Sequence, residues 1–261
     1  MPSTDEEPRA LLFDLFGTLV CFDLSRLPSV EVDGRTQVVT IPGLSSLLDS
    51  LRPPLALSEF LHGLAKVSED IRNQAAVDNR EVSSVHRFRR TLVALGVGGD
   101  VDAAAREFTR RHMRGLETAV YCPPLRRAML ERVASRYRTG LISNFDHAPT
   151  ALAILHRWGL ADLLEVVLIS DAVGTRKPSR RIFRLASQKL GLRAQDCLYI
   201  GDSLVTDVEG AVASGMRALW ISADATPGHS ALGVLADAAE LVAWLNDHYE
   251  AGLTAPSGAR Q

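Results

Sequence analysis

The sequence predicts a doubly wound α/β fold: a parallel sheet with helices on both faces and a helical module inserted after the first strand. Three observations carry this. From Pro123 onward, short apolar runs rich in β-branched residues alternate with amphipathic stretches. One further apolar run, Leu11-Leu12-Phe13-Asp14-Leu15-Phe16, stands alone near the start. Between about residues 44 and 118 the pattern is helical, with no strand signal.

The first run is broken by one acid and followed by Gly17-Thr18, which reads as a buried strand whose C-terminal end carries Asp14. Residues 29–39 alternate β-branched and polar side chains around Asp33-Gly34, a favoured two-residue turn, and predict a β-hairpin. Leu57, Phe60, Leu61, Leu64, Val67 and Ile71 recur at spacings of three and four, one face of a helix. Phe88, Leu92, Val93 and Leu95 mark a second helix, and a third is expected from about Val101 to Leu116 after the Gly-rich break at 96–99. Beyond Pro123, strands are expected at 140–142, 165–170, 197–200 and 218–221. Helices are expected at 125–137, 149–158, 180–190, 207–214 and 238–249. The domain reading is therefore a core from residues 1–20 and 120–261, with residues 21–119 inserted: a hairpin at about 29–40 and a helical part at about 44–118.

Composition narrows the function classes. The chain has 261 residues, 46% hydrophobic and 23% charged, ordinary values for a globular protein with a full core. A formal net charge of −2 gives no field suited to nucleic acid or an anionic membrane, so neither is expected as a partner. Cys21, Cys122 and Cys197 are odd in number and irregularly spaced, which argues against a disulfide framework or a paired-thiol metal site. With no signal-like or membrane-spanning run near the N-terminus, a cytoplasmic location is expected. Lys66, Lys177 and Lys189 are the only lysines, which singles each of them out.

In open parallel α/β sheets the ligand site lies beyond the C-terminal ends of the strands. The polar residues expected there are Asp14, Ser143-Asn144, Asp171 and Asp202, joined by Lys177 in a loop and Asp207 at the start of a helix. Carboxylates at adjacent strand ends form an oxygen site for Mg²⁺, which takes one or two carboxylates and keeps positions for water and phosphate. Lys177 and the Ser143 hydroxyl would hold the anionic group, and Asp14 would attack phosphorus to form an aspartyl-phosphate.

Four motifs then match a known family in order and spacing. Phe13-Asp14-Leu15-Phe16-Gly17-Thr18-Leu19 resembles the first motif of the haloacid dehalogenase-like (HAD) superfamily. Ile142-Ser143-Asn144 resembles the second, Lys177-Pro178 with Ile182-Phe183 the third, and Gly201-Asp202-Ser203-Leu204-Val205-Thr206-Asp207 the fourth in its metal-binding form. The insert matches the family's C1-type cap in position, and the remainder its Rossmann-like core. The resemblance implies that Asp14 is nucleophile and metal ligand, with the Phe16 backbone carbonyl, Asp202 and Asp207 completing an Mg²⁺ site, Asp207 directly or through water. It implies that Ser143 and Lys177 act in catalysis and bind phosphate, that Asn144 supports substrate binding, and that Thr18 positions the loop and assists the nucleophile. The implied protein is a phosphatase acting on a small phosphorylated metabolite.

One position departs from the pattern. Phosphatases of this family usually carry a second Asp two residues after the nucleophile, as general acid and base; here that residue is Phe16. Three explanations arise. The substrate has a good leaving group, such as an acyl phosphate; or the insert supplies the acid from Glu81, His86 or Lys66; or the protein is a dehalogenase, whose first motif also lacks this Asp. Asp202, and Phe183 where dehalogenases carry Tyr, weigh against the last. A phosphonatase-type hydrolase and a catalytically weak metal- and phosphate-binding protein are the remaining alternatives.

Overall fold

A computed structural model describes residues 6–224 and 229–253 of the chain. The chain divides into two compact units, one formed by the segments up to Cys21 and from Tyr121 onward, the other by Phe22 to Val120. In chain order, β1 (Ala10–Phe13) opens the first unit and β2 (Cys21–Phe22) leads out of it. The second unit holds a hairpin, β3 (Ser29–Val32) and β4 (Arg35–Val38), and four helices: α1 (Leu44–Asp49), α2 (Leu57–Asp78), α3 (Ser84–Ala94) and α4 (Val101–Ala119). After β5 (Val120–Tyr121) come α5 (Pro124–Ala134), β6 (Arg138–Ser143), α6 (Ala148–Arg157), β7 (Val166–Ile169), α7 (Ser170–Val173) and α8 (Arg180–Lys189). The chain closes with β8 (Cys197–Gly201), α9 (Gly210–Ala213), β9 (Arg217–Ile221), β10 (Gly233–Leu235) and α10 (Leu241–Tyr249).

The sheet of the first unit runs β10-β9-β8-β1-β6-β7, with every neighbouring pair parallel. Because parallel strands need crossover connections, both faces are covered and the central strands are apolar throughout. All four residues of β1 and all five of β8 are buried. One face packs Ala10, Leu12, Ile142, Tyr199 and Ala218 against Ile182, Phe183 and Ala186 of α8. The strand order reverses at β1, with β6 and β7 on one side and β8 to β10 on the other. The register pairs Phe13 with both Leu141 and Ile200, so the residues following β1, β6 and β8 emerge at the same edge.

In the second unit, Asp33 and Gly34 both take positive φ (51° and 73°), the two-residue turn the alternation predicts, and β3 pairs antiparallel with β4. The core of this unit is aromatic: Phe108 lies 5.0 Å from Phe60 and 5.8 Å from Phe88 between ring centroids. Burying each such ring contributes roughly 1.5–3 kcal/mol. On α2 the expected stripe faces inward, with Phe60, Val67 and Ile71 buried and Leu57, Leu61 and Leu64 partly so. Among the described residues no helix is long and apolar enough to cross a membrane.

Two local expectations change. The helix expected at 207–214 is a π-helical turn, Leu204–Glu209, followed by α9 alone. Ser203 caps it by accepting from the Thr206 N–H, which draws Asp207 into the first turn. The short β2, β5 and β10 lie where no strand was expected; two or three residues are too few to show an alternation.

Candidate active site

The residues singled out at strand ends converge. Asp14 directly follows β1, and its N–H donates to the Ile200 carbonyl at 3.0 Å, continuing the β1–β8 ladder by one residue. Ser143 is the last residue of β6, and Asp202 directly follows β8. Carboxylate oxygens of Asp14, Asp202 and Asp207 lie within 4.8 Å of one another.

Lys177 binds this cluster together. It is 2% exposed, and its Nζ donates to Asp14 Oδ1 at 2.7 Å, to Asp207 Oδ1 at 2.6 Å and to the Tyr199 hydroxyl at 2.9 Å. An ammonium has three N–H donors, and all three are used. Asp207, fully buried, accepts through its other oxygen from the Ser203 N–H at 3.0 Å. Both Asp207 oxygens are therefore occupied by protein donors, whereas Asp14 is 13% exposed at its side chain.

The electrostatics follow from burial and proximity. Burial pushes the Asp14 carboxyl up to about 7; the Lys177 ammonium opposes the rise and the Asp207 carboxylate adds to it. Asp202 is raised by burial and then by Asp207. For Lys177, burial favours the neutral amine, but Asp14 and Asp207 outweigh it and hold the ammonium above its ordinary range. Burial and the neighbouring carboxylates keep the Tyr199 phenol protonated, well above its usual value.

Two hydroxyls complete the picture. Thr18 Oγ1 and Ser143 Oγ are buried and have no hydrogen-bond partner among the described residues. Leaving such groups unpaired costs about 1–3 kcal/mol each; Thr18 lies in the loop after β1 and Ser143 ends β6, the neighbouring strand. Two close approaches also depend on glycine. A Cβ on Gly17, whose φ is +86°, would lie 2.2 Å from Asp202 Oδ2, and one on Gly201 would lie 2.5 Å from the Asp207 carboxylate.

Some expected residues take other parts. Asn144, expected at the substrate, has both side-chain polar atoms engaged by Lys177: its Nδ2 donates to the Lys177 carbonyl at 3.0 Å, and its Oδ1 accepts from the Lys177 N–H at 2.8 Å. It fixes the backbone from which Lys177 extends. Asp171 accepts from the Ala148 N–H at 2.8 Å and serves as a support at the start of α6. The Phe16 ring packs on Phe145, with centroids 4.9 Å apart and 39° between planes, so an apolar pair occupies the position where a second acid was sought. Within the second unit, Glu81 accepts from the Val82 N–H and His86 donates its backbone N–H to Ser83.

Sequence reasoning missed three contributors. Tyr199 anchors Lys177 and donates to the Ile142 carbonyl at 3.1 Å. Trp220, in register with Gly201, donates its indole N–H to the Asp202 carbonyl at 3.0 Å. Arg126 donates to the Gly17 carbonyl at 2.8 Å. Tyr199 and Trp220 sit in apolar strands and read as core. The one signal available was that a buried Tyr or Trp needs a partner for its polar tip.

The sequence matches the family of haloacid dehalogenase-like hydrolases over residues 8–215. Phosphoglycolate phosphatase of Rhodospirillum rubrum is 31% identical over 97% of this chain and 95% of its own length. Phosphatase MT3486 of Mycobacterium tuberculosis is 28% identical over 91% and 96%. The match to the Escherichia coli 5-amino-6-(5-phospho-D-ribitylamino)uracil phosphatase YigB, 28% identical, spans 52% of this chain and only 56% of that protein. Among solved structures, 2-haloacid dehalogenase from Pseudomonas syringae superposes with a TM-score of 0.66 over 92% of this chain and 99% of its own. At 21% identity this likeness concerns the fold alone.

Proposed function

The chain belongs to the haloacid dehalogenase-like hydrolase family, and on that premise we propose that it is a divalent-metal-dependent phosphatase acting on a small phosphorylated metabolite through covalent attack by Asp14. The observation that carries the proposal is the convergence of Asp14, Asp202 and Asp207 around the Lys177 ammonium. The phosphatase names of relatives matched along nearly the whole chain support it.

The residues fit a hard divalent cation, Mg²⁺ in this proposal. Asp14 and Asp202 offer carboxylate oxygens, the Phe16 carbonyl would add a third, and such an ion takes few protein ligands and keeps waters. Asp207, whose oxygens already accept from Lys177 and Ser203, would act on the ion directly through a remaining lone pair or through water. When bound, the ion supplies positive charge between the carboxylates and the phosphoryl oxygens.

The chain's own groups do the rest. Lys177 holds Asp14 Oδ1 in a fixed direction and offsets the repulsion between its carboxylate and an incoming phosphate. The Ser143 and Thr18 hydroxyls, unpartnered and buried, are the donors available to the phosphoryl group. Attack by an Asp14 oxygen on phosphorus releases the alcohol or acid portion of the substrate. Water then cleaves the acyl phosphate and regenerates Asp14. Screening phosphorylated metabolites with and without Mg²⁺ tests this. Metal-dependent release of phosphate is expected, and no turnover on any substrate would overturn the assignment.

Phe16 makes a further expectation measurable. With no carboxyl at that position, kcat/KM over a series of aryl phosphates should fall steeply as the leaving group becomes more basic. Phe16→Asp should flatten that slope and raise activity on the most basic members by about 10²-fold, the low end of general-acid effects. A flat wild-type slope would mean that another residue donates the proton.

Gly17→Ala should weaken the site from two directions. A Cβ there meets Asp202 at 2.2 Å, and φ of +86° strains any other residue. Turnover is expected to fall about 10- to 100-fold through displacement of the loop. The Mg²⁺ concentration giving half-maximal thermal stabilisation should rise, and an unchanged metal titration would show that Asp202 yields without consequence.

A further inference from the structure

Arg126 stands in the first turn of α5, where the helix dipole disfavours a cation. Its side chain is 10% exposed, so the cation is also poorly solvated. Two sets of partners offset this cost. Asp237, which precedes the last helical segment, takes the fork: Nε donates to Oδ1 at 3.2 Å and to Oδ2 at 3.1 Å, and Nη2 donates to Oδ2 at 2.6 Å. Nη1 faces the loop after β1, donating to the Gly17 carbonyl at 2.8 Å and to Cys21 Sγ at 3.1 Å. One guanidinium thus touches both ends of the segment 17–21.

We propose that the Arg126–Asp237 pair is a positioning device for the active-site loop: Asp237 aims Arg126, and Arg126 fixes the Gly17 carbonyl so that Gly17 stays pressed against Asp202 and the Gly17–Thr18 step keeps its place. The inference rests on the phosphatase reading for its catalytic meaning. Its structural part rests on the contacts alone. The loop has its own hydrogen bonds, Gly17 N–H to the Val20 carbonyl and the Leu19 and Val20 N–H groups to the Leu15 carbonyl, at 2.8–2.9 Å. These close the turn on itself. Cys122 Sγ reaches the Leu19 carbonyl at 3.5 Å, and Arg126 ties the Gly17 end to α5; a planar fork holds a carbonyl in one direction better than a flexible ammonium does. Placement matters at this point because a shift of about 1 Å in a catalytic constellation costs about 10²-fold in rate.

Asp237→Asn and Arg126→Lys, each in the full chain, test the proposal. Asn keeps an oxygen for the Ala239 N–H that Asp237 caps at 2.8 Å, so that cap survives in this variant, and a thermal melt of each variant confirms that it is folded. Amide hydrogen exchange of a peptide covering residues 15–21 is followed in metal-free protein, and kcat and KM are measured with Mg²⁺ on a substrate the wild type turns over. Faster exchange confined to this peptide, with kcat reduced about 10- to 100-fold and KM within about threefold, is the expected result. The double variant should be no worse than the poorer single one, because both act through one contact. Unchanged exchange overturns the proposal. So does faster exchange with kcat intact, which would make the pair a purely structural bridge. A wild type that shows no turnover refutes the phosphatase reading instead, and exchange then decides by itself whether the pair holds the loop.

Discussion

Asp14→Asn is expected to abolish turnover while stabilising the metal-free protein. Asparagine keeps the shape but cannot form the acyl phosphate, so a loss of roughly 10⁴–10⁶-fold is expected, as for removal of a covalent nucleophile. The stability effect has a separate cause. Burial raises the Asp14 carboxyl from its ordinary value to about 7. In the unfolded chain the same group titrates near 4. Between these values the folded protein holds a proton that the unfolded chain releases, so wild-type stability falls as pH rises from about 4 to about 7. The Asn variant has no such proton and lacks this contribution to the slope. Urea denaturation with the metal chelated, at pH 5.5 and pH 8, reads both. At pH 8 the variant should be more stable by about 1–3 kcal/mol, and the gap should narrow at pH 5.5. A variant less stable than wild type at pH 8 would mean that the Lys177 pair outweighs the cost of burying the carboxylate. The active-site charge would then be a source of stability rather than a burden carried for chemistry.

The sheet was legible in the sequence because its strands are buried on both faces and so read as unbroken apolar runs ending in a single polar residue. That pattern located Asp14, Ser143 and Asp202 before any geometry was available. Asp33-Gly34 likewise announced its hairpin, since a two-residue turn with both φ positive leaves few other choices of residue. What escaped was the support behind the site. Tyr199 lies in a strand where an aromatic side chain is ordinary core, and its hydroxyl contact with Lys177 joins residues 22 positions apart. Arg126 and Asp237 are 111 positions apart, and each alone reads as a surface charge on a helix. Asn144 was placed at the right strand end, but its hydrogen bonds to the Lys177 backbone depend on how a loop folds back, which no periodicity encodes. Local pattern shows where the chain puts chemistry, whereas contacts across long separations decide which groups carry it and which hold them.

Lys177→Met should be the most damaging single change to the fold of the first unit, and its severity should depend on pH. The ammonium is buried between Asp14 and Asp207, the latter wholly buried, and no other cation is within hydrogen-bonding distance of either carboxylate among the described residues. Removing one partner of such a group leaves uncompensated buried charge, at a cost of about 3–5 kcal/mol. That is a large share of the roughly 5–15 kcal/mol by which domains are stable. Methionine fills much of the volume, so the loss is electrostatic rather than a cavity effect. The Tyr199 hydroxyl loses a donor as well, though it keeps the Ile142 carbonyl. The signature is rescue by acid: once one carboxylate of the pair takes up a proton, the repulsion that the lysine had offset disappears. The deficit relative to wild type should therefore be full at pH 7.5 and clearly smaller at pH 5.5. Lys177→Arg should not restore stability or turnover, because a planar guanidinium cannot direct three donors to Asp14, Asp207 and Tyr199 from the same point. Phosphate release by either variant should fall to background. Equal deficits at the two pH values would show that Lys177 stabilises the protein by packing alone, and the charge balance proposed for the site would then be wrong.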